Sequence, residues 1–598
     1  MDWKNSMISA LNRLPQRLLA GTAAAAFVLC LSSGAFGQAI ERNLPPPAAP
    51  GPSVILTPET AQSDRDARPL GPTVRSIVVL GPDEPVIAGD LAPGVDPGQS
   101  TRLSRPSAKA QLGRFLGKPL SRKLISDIRN AIALEYRRQG YPLVSVSTPV
   151  QNISRGVLQV RVIEFVLGKK IAPGAKNPNY VERQVRAASG QTVNANQLSE
   201  DLDWLNRYPF RKTQAIFNAG DALGQTNLIL QTTEAKPWSV YAGYSNTGSP
   251  LTGFDRYFAG FTVAAPYLQD AYASYQFTGS DDSLFSEGRP FDTAAQPRYV
   301  SHAGRLVIPT LARQDLEVTL DFVQSYQPIA STNGDFLSRQ TTYEATVGYR
   351  SALSNLVPVF DGDVVAGIEL KRQAGKTFFG TAAVASTELD VLQLYAQYAT
   401  QVSESFGRTA LDMTVHVSPG AADSRDTKSA YLTATNGEAE SDRYAYVVAD
   451  LTQTFQLPKA FVYSFSATGQ YAPNALPLTE RIGLGGSTLV RGYTLDDGVF
   501  DSALLSRNEV RSPVTPVLGL FNAKWFPDQA SPFIFLDAGY GKNEFAHTAG
   551  TFAGTGVGSD YQFGTHFSAN LTASWALTSE GLTHAGDFLL QTKATLTF

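Results

Sequence analysis

The chain ends Phe588-Leu589-Leu590-Gln591-Thr592-Lys593-Ala594-Thr595-Leu596-Thr597-Phe598, and extended backbone places Phe588, Leu590, Ala594, Leu596 and Phe598 on one face. The same period of two recurs upstream. Val318, Leu320 and Phe322 alternate with Glu317, Thr319 and Asp321, and Tyr343, Ala345, Val347 and Tyr349 with Glu344, Thr346, Gly348 and Arg350. Leu411, Met413, Val415 and Val417 alternate with Asp412, Thr414 and His416, and Tyr463, Phe465 and Ala467 with Ser464, Ser466 and Thr468. Polar or glycine-bearing stretches such as Gly279-Ser280-Asp281-Asp282 and Ala421-Ala422-Asp423-Ser424 separate these segments. A soluble sandwich or propeller would turn the apolar face inward; a transmembrane barrel would turn it toward lipid around a wet lumen. Alternation alone leaves both open. The aromatic-ended final strand, the strand-end aromatics and the leader described below favour an antiparallel transmembrane β-barrel over residues 236–598. At roughly 22 residues per strand and connection, that length predicts about 16 strands.

Composition narrows the function classes. The 598 residues carry 50 Lys+Arg and 53 Asp+Glu, a net charge of −3, so no basic excess marks a nucleic-acid-binding protein. With 24 Tyr and 32 Phe, wholesale disorder is excluded. The single cysteine, Cys30, provides neither an intrachain disulfide nor a zinc cage, and five scattered histidines leave no metal site to expect. No cofactor is expected either, since no G-x-x-x-x-G-K-[ST] loop occurs. Gly485-Gly486-Ser487-Thr488-Leu489 departs from the G-x-S-x-G nucleophile elbow at its fifth residue, and His416 reads as a solvated pore residue, so catalysis is not expected.

At the N-terminus, Lys4, Arg13 and Arg17 precede the run Leu18 to Leu31, apolar apart from Thr22, and the small-residue exit Ser32-Ser33-Gly34-Ala35-Phe36-Gly37. Residues 1–37 therefore read as a signal peptide cleaved after Gly37; Leu29 before Cys30 argues against a lipoprotein. Beyond residue 37 no apolar run approaches the ~20 residues of a spanning helix, so a closed barrel is the remaining way across a membrane. Residues 38–72, with Pro45-Pro46-Pro47, Pro50, Pro52, Pro58, Pro69 and Pro72, form a linker. Within it Thr57-Pro58-Glu59 supplies a cap, a first-turn proline and an early acid, predicting a short helix over 58–67 with an extended spacer as the alternative.

Residues 73–235 read as soluble α/β. A strand spans 74–80; Leu124, Ile128, Ile132 and Tyr136 mark an amphipathic helix ended by Gly140; strands follow at 143–146 and 157–165. Between them, residues 81–118 lack a regular reading because Gly94, Pro97, Gly98 and Pro106 interrupt them. The order then repeats. Val181, Val185 and Ala188 make one helical face and Leu198, Leu202 and Leu205 another, capped by Asn194 or Asn196, before strands at 213–218 and 226–233. Two units are predicted, 73–168 and 169–235.

Arg481-Ile482-Gly483-Leu484-Gly485-Gly486-Ser487-Thr488-Leu489-Val490-Arg491-Gly492-Tyr493 resembles the lumenal-loop signature of outer-membrane protein-transporting barrels, in its core Val490, Arg491, Gly492 and Tyr493. Phe535-Leu536-Asp537-Ala538-Gly539 is similar to that superfamily's F-x-D-x-G wall motif. Leu120-Ser121, Glu135-Tyr136-Arg137-Arg138-Gln139-Gly140-Tyr141 and Gly156-Val157-Leu158-Gln159-Val160 resemble a polypeptide-transport-associated (POTRA) domain, and residues 169–235 a second. Two such units and a barrel of this length resemble the two-partner secretion (TpsB) transporters, the haemolysin secretion/activation family.

The resemblance implies POTRA domains in the periplasm, a barrel in the Gram-negative outer membrane, and translocation of an unfolded secreted exoprotein of haemolysin, adhesin or toxin class. It implies that Arg491 on the inward loop pairs with Asp537 on the wall, between Phe535 and Gly539, with Gly492 allowing close approach and Tyr493 packing beside the guanidinium. Leu596 and Phe598 would form the signal read by the barrel-assembly machinery, and a monomeric barrel in lipid is expected. The segment 58–67 is the candidate for a pore-plugging helix. A barrel-assembly factor of the same superfamily, which usually carries more POTRA units, is the alternative; a passive porin would not need the soluble module.

Overall fold

The computed structural model describes residues 40–43, 55–56, 64–265, 268–285, 296–329, 336–358, 360–404, 406–520 and 527–598. The leader at 1–37 and residues 58–63 lie outside these; residues 64–67 are not helical. Two compact units result, one of residues 47–236 and one of residues 237–598 together with the N-terminal stretch up to 46.

The first unit contains two small sheets with helices on one face. The linker strand β1 (Ile55–Leu56) is followed by β2 (Ser76–Leu80), β3 (Gly94–Asp96), α1 (Pro106–Gly113), α2 (Arg122–Arg138), β4 (Val144–Ser147) and β5 (Val157–Glu164). Then come β6 (Val166–Ile171), α3 (Pro178–Gln184), α4 (Ala195–Leu205), β7 (Arg211–Ala219) and β8 (Gln225–Glu234). The sheet orders are β3-β2-β5-β4 and β1-β7-β8-β6. In α2 the Ser121 hydroxyl accepts the Leu124 N–H at 3.1 Å, and Leu124, Ile128, Ile132 and Tyr136 are buried against Ile77, Val79, Leu158 and Val160. Gly140 follows with φ +84°, a conformation that costs a residue without Cβ little.

Three expectations need correction here. Pro106 opens α1 at its first turn, where a missing N–H costs nothing, and Gly94 sits within β3, so residues 81–118 hold regular structure. The helix through Val181 stops at Gln184, because Val185 turns extended (φ −95°, ψ 120°) and Val185 and Ala188 leave the helical face. The second sheet starts at Val166, so a division at 168/169 would cut β6. The cap of α4 is Asn194, which accepts the N–H groups of Asn196 and Gln197.

The second unit is a closed antiparallel barrel of sixteen strands. They are β9 (Trp238–Ser245), β10 (Arg256–Ala264), β11 (Tyr272–Gly279), β12 (Tyr299–Pro309), β13 (Gln314–Ile329), β14 (Phe336–Ala352), β15 (Asp363–Phe379) and β16 (Ala382–Glu404). The wall continues through β17 (Gly407–Ser418), β18 (Tyr444–Gln456) and β19 (Val462–Tyr471). A two-stranded insert, β20 (Ile482–Gly483) with β21 (Val499–Phe500), precedes β22 (Ser502–Arg511), β23 (Asp528–Lys542), β24 (Ala549–Phe563), β25 (Phe567–Ala576) and β26 (Phe588–Thr597). β26 closes on β9 through the register Lys593↔Ser245 to Thr597↔Tyr241, and Val240 and Phe598 exchange N–H···O bonds of 2.8 and 3.1 Å beyond it.

The side-chain pattern decides between sandwich and membrane barrel. Leu320, Ile368, Leu370, Leu411, Val415, Ile534, Leu536, Phe588, Leu590, Leu596 and Phe598 are exposed on the outside, while Asp321, Gln393, Asp537 and Gln591 are buried inside. An apolar outer face with a polar interior suits lipid, not water. Among the described residues no helix is long and apolar enough to cross a bilayer. β13 to β16 have 16, 17, 17 and 23 residues, more than the roughly 9–11 that span hydrocarbon, so their hairpin ends project beyond it.

Candidate functional site

The connection from β19 to β22, residues 472–501, turns back into the lumen instead of leaving the barrel end. Its tip carries Val490 to Tyr493. Period two in β23 aims Phe533, Phe535, Asp537 and Gly539 inward and Ile534, Leu536 and Tyr540 outward, so the Phe, Asp and Gly of the F-x-D-x-G motif all face this tip.

The contacts are close. Arg491 Nε donates to Asp537 Oδ2 at 2.7 Å and Nη2 to Oδ1 at 2.9 Å, a two-pronged pairing, and the Arg491 backbone N–H adds a bond of 3.2 Å to Oδ2. Nη1 reaches Glu509 Oε2 at 2.9 Å, and the guanidinium lies 3.6 Å from the Phe535 ring centroid. Arg491 is 3% exposed and Asp537 0%, so bulk water screens neither. Gly492 takes φ +99° with its Cα against the Trp575–Ala576 backbone. A Cβ on Gly554 would stand 1.8 Å from the Arg491 carbonyl oxygen, and one on Gly539 3.1 Å from Val490 Cγ2. Small wall residues therefore set how deep the tip sits.

Tyr493 has a different place from the one the motif suggests. The ring over the guanidinium is Phe535; Tyr493 stands edge-on to Phe552, with centroids 4.9 Å apart. Its hydroxyl donates to the Thr578 carbonyl (2.8 Å) and accepts the Thr578 N–H (3.1 Å). Leu484, Val490, Tyr493, Phe500, Leu505, Phe552 and Ala576 make a dry cluster between loop and wall.

Several further residues complete the site without belonging to either motif. Arg507, Glu509 and Arg511 fall at every second residue of β22, a charge string whose period marks one face; Arg507 Nη1 holds the Thr488 carbonyl at 2.8 Å. Three acids of the same loop tie it to its neighbours. Asp496 accepts the Leu251 N–H (2.9 Å), Asp497 those of Leu582 and Thr583 (both 2.9 Å), and Asp501 that of Glu544 (2.8 Å). His416 is not a solvated pore residue: it stacks on Tyr446 at 4.6 Å and sits 3.3 Å from Glu369.

Residues 40–43 also lie in the lumen. Arg256 Nη2 donates to Glu41 Oε2 at 2.9 Å, and the Tyr299 hydroxyl donates to the Glu41 carbonyl at 2.6 Å. Arg42 Nη2 donates to Glu344 Oε1 (2.6 Å) and to the Thr479 carbonyl (2.8 Å). No periodic signal could reveal this, since four residues inside a proline-rich stretch carry none. Leu596 and Phe598 stand on the lipid face beside the closing seam. Among the described residues no group of His, Cys, Asp and Glu could hold a metal ion.

A sixteen-stranded lipid-facing barrel, a loop folded inward and held by its arginine to a wall aspartate, and paired α/β modules ahead of it define an outer-membrane polypeptide transporter. Residues 224–561 match the haemolysin secretion/activation protein ShlB/FhaC/HecB family, and the chain belongs to that family. Residues 94–164 match the ShlB-type POTRA domain. The outer membrane transporter CdiB-2 of Burkholderia pseudomallei (strain 1026b) is 21% identical over 412 residues, 68% of this chain and 67% of that one. The heme/hemopexin transporter protein HuxB of Haemophilus influenzae (strain ATCC 51907 / DSM 11121 / KW20 / Rd) is 22% identical over 415 residues, 67% of this chain and 68% of that one. The structure of CdiB from Escherichia coli superposes with a TM-score of 0.64 at 18% identity, covering 91% of this chain and 94% of that one, which shows the shared fold. The protein is a two-partner secretion transporter of the outer membrane, with its POTRA domains in the periplasm.

Proposed function

We propose that the POTRA units take up one unfolded exoprotein of haemolysin, adhesin or toxin class by strand addition, and that the Arg491–Asp537 pair anchors the inward loop against which the barrel handles its client. An unfolded chain offers extended segments whose N–H and C=O groups complete a sheet edge, and a folded one does not. The buried two-pronged pair carries this reading, because such a contact fixes a loop in a lumen that solvent would otherwise leave mobile. Leu596 and Phe598 serve insertion by the barrel-assembly machinery, and the barrel works as a monomer in lipid. The chemistry is transport, without catalysis or cofactor.

The test is export of a large secreted protein encoded beside this chain. Removing the transporter should abolish its release, and Arg491→Ala should reduce release while the barrel remains inserted and heat-modifiable. Undiminished release from either strain overturns the assignment.

A further inference from the structure

The second POTRA sheet is already completed by a strand from the linker. β1 pairs in parallel with β7, with Ile55 opposite Ala215 and Leu56 opposite Ile216. Cross-strand pairing aligns Ile216 with Ile229 and Ile229 with Ile171, a row of apolar residues on the outer face, of which Ile171 is about half exposed (48%). Leu56 holds the next register position in that row.

We infer that the β7 edge is the strand-accepting site for the secreted client, and that Ile55–Leu56 is a built-in occupant that the client displaces. Among the sheet edges of the described residues in this unit, β7 alone offers a long continuous run of nine residues. β3 and β4 have three and four residues, and β6 breaks register between Leu167 and Lys170. The resident strand is weak by construction. Its pairing is parallel, the less stable arrangement, and Pro52 and Pro58 withhold donors on either side, so it cannot extend along β7 beyond the five positions between them. A proline-free extended segment can pair along all of Arg211–Ala219, with an apolar residue wanted opposite Ile216. The tether supplies the occupant at an effective concentration on the order of millimolar, so weak or short segments are turned away.

This inference rests on the transporter reading, and its test separates the two. In a Cys30→Ser background, Ile55→Cys with Ala215→Cys places two thiols on neighbouring strands about 4.8 Å apart at Cα, within reach of a disulfide. Oxidation should lower export of the neighbouring-gene product at least tenfold, and reductant should restore it. Equal export in both states overturns the displacement idea while leaving the transporter reading intact; that reading fails separately, if deletion of the whole chain leaves export unchanged. Peptide binding gives a second arm that does not depend on export. A fluorescent peptide of residues 52–58 should bind detergent-purified full-length Ile55→Pro/Leu56→Pro protein at least tenfold more tightly than wild type. Equal binding to the two proteins, or no binding to the proline variant, overturns the inference.

Discussion

Replacing Arg491 by alanine removes three guanidinium bonds of 2.7 to 2.9 Å and the stacking on Phe535, and leaves Asp537, 0% exposed, with only the loop N–H at 3.2 Å. Breaking a buried pair from one side costs about 3–5 kcal/mol. Here Arg507 Nε already lies 3.9 Å from Asp537 Oδ2 and can move in, which lowers the expected cost to about 2–3 kcal/mol. At 1.36 kcal/mol per decade, that favours the opened loop roughly 30- to 160-fold. Hydrogen exchange of the full-length protein in detergent reads this ratio, through the protection of amides 489–494 against those of β9 to β19. The loop amides should lose protection by that factor while the distant strands keep theirs. Asp537→Ala added to Arg491→Ala should cost little more, because the stranded charge goes with its partner. Loop protection within threefold of wild type would refute the anchoring role, and so would an equal loss across all strands.

Three further outcomes are expected. Gly554→Ala puts a methyl group 1.8 Å from the Arg491 carbonyl oxygen and should expel the tip, giving the same loss of loop protection with the pair's side chains untouched. Glu41→Ala with Arg42→Ala removes the ion pairs to Arg256 and Glu344, and planar-bilayer recordings should show a larger mean conductance than wild type. In the first POTRA unit, the Tyr136 hydroxyl donates to Glu164 (2.8 Å), and burial pushes its ionisation above the ordinary value of 10.0. A raised native value means stability is full below pH 10 and falls above it, as the unfolded phenol ionises first. Tyr136→Phe should therefore cost about 1 kcal/mol at neutral pH and flatten the alkaline decline, read by urea dependence of proteolysis within residues 64–234.

Much of the architecture could be read from sequence because its signals are local. Alternation along β13, β14, β17 and β26 needs only neighbouring residues, and so does the four-residue recurrence from Leu124 to Tyr136. The tip motif and the wall motif could each be found, yet the ring that stacks on Arg491 is Phe535 and not Tyr493, because the loop's entry angle, which no spacing encodes, chooses between them. Glu509, Asp496, Asp497 and Asp501 act through partners from 18 to 245 positions away and look like ordinary polar loop or strand residues in the chain. Pro106 shows the opposite problem: the same residue stops a helix or starts one, and only the packing of Ala108 and Leu112 decides.

The three aspartates that fasten the inward loop to three separate outer connections give the barrel's cap a collective character. A push on any one connection is transmitted to the others through a single rigid segment, so partial, independent yielding is penalised. Current through the pore should accordingly step between a few fixed levels and not drift smoothly, and a surface ligand gripping one connection would bias the whole lid.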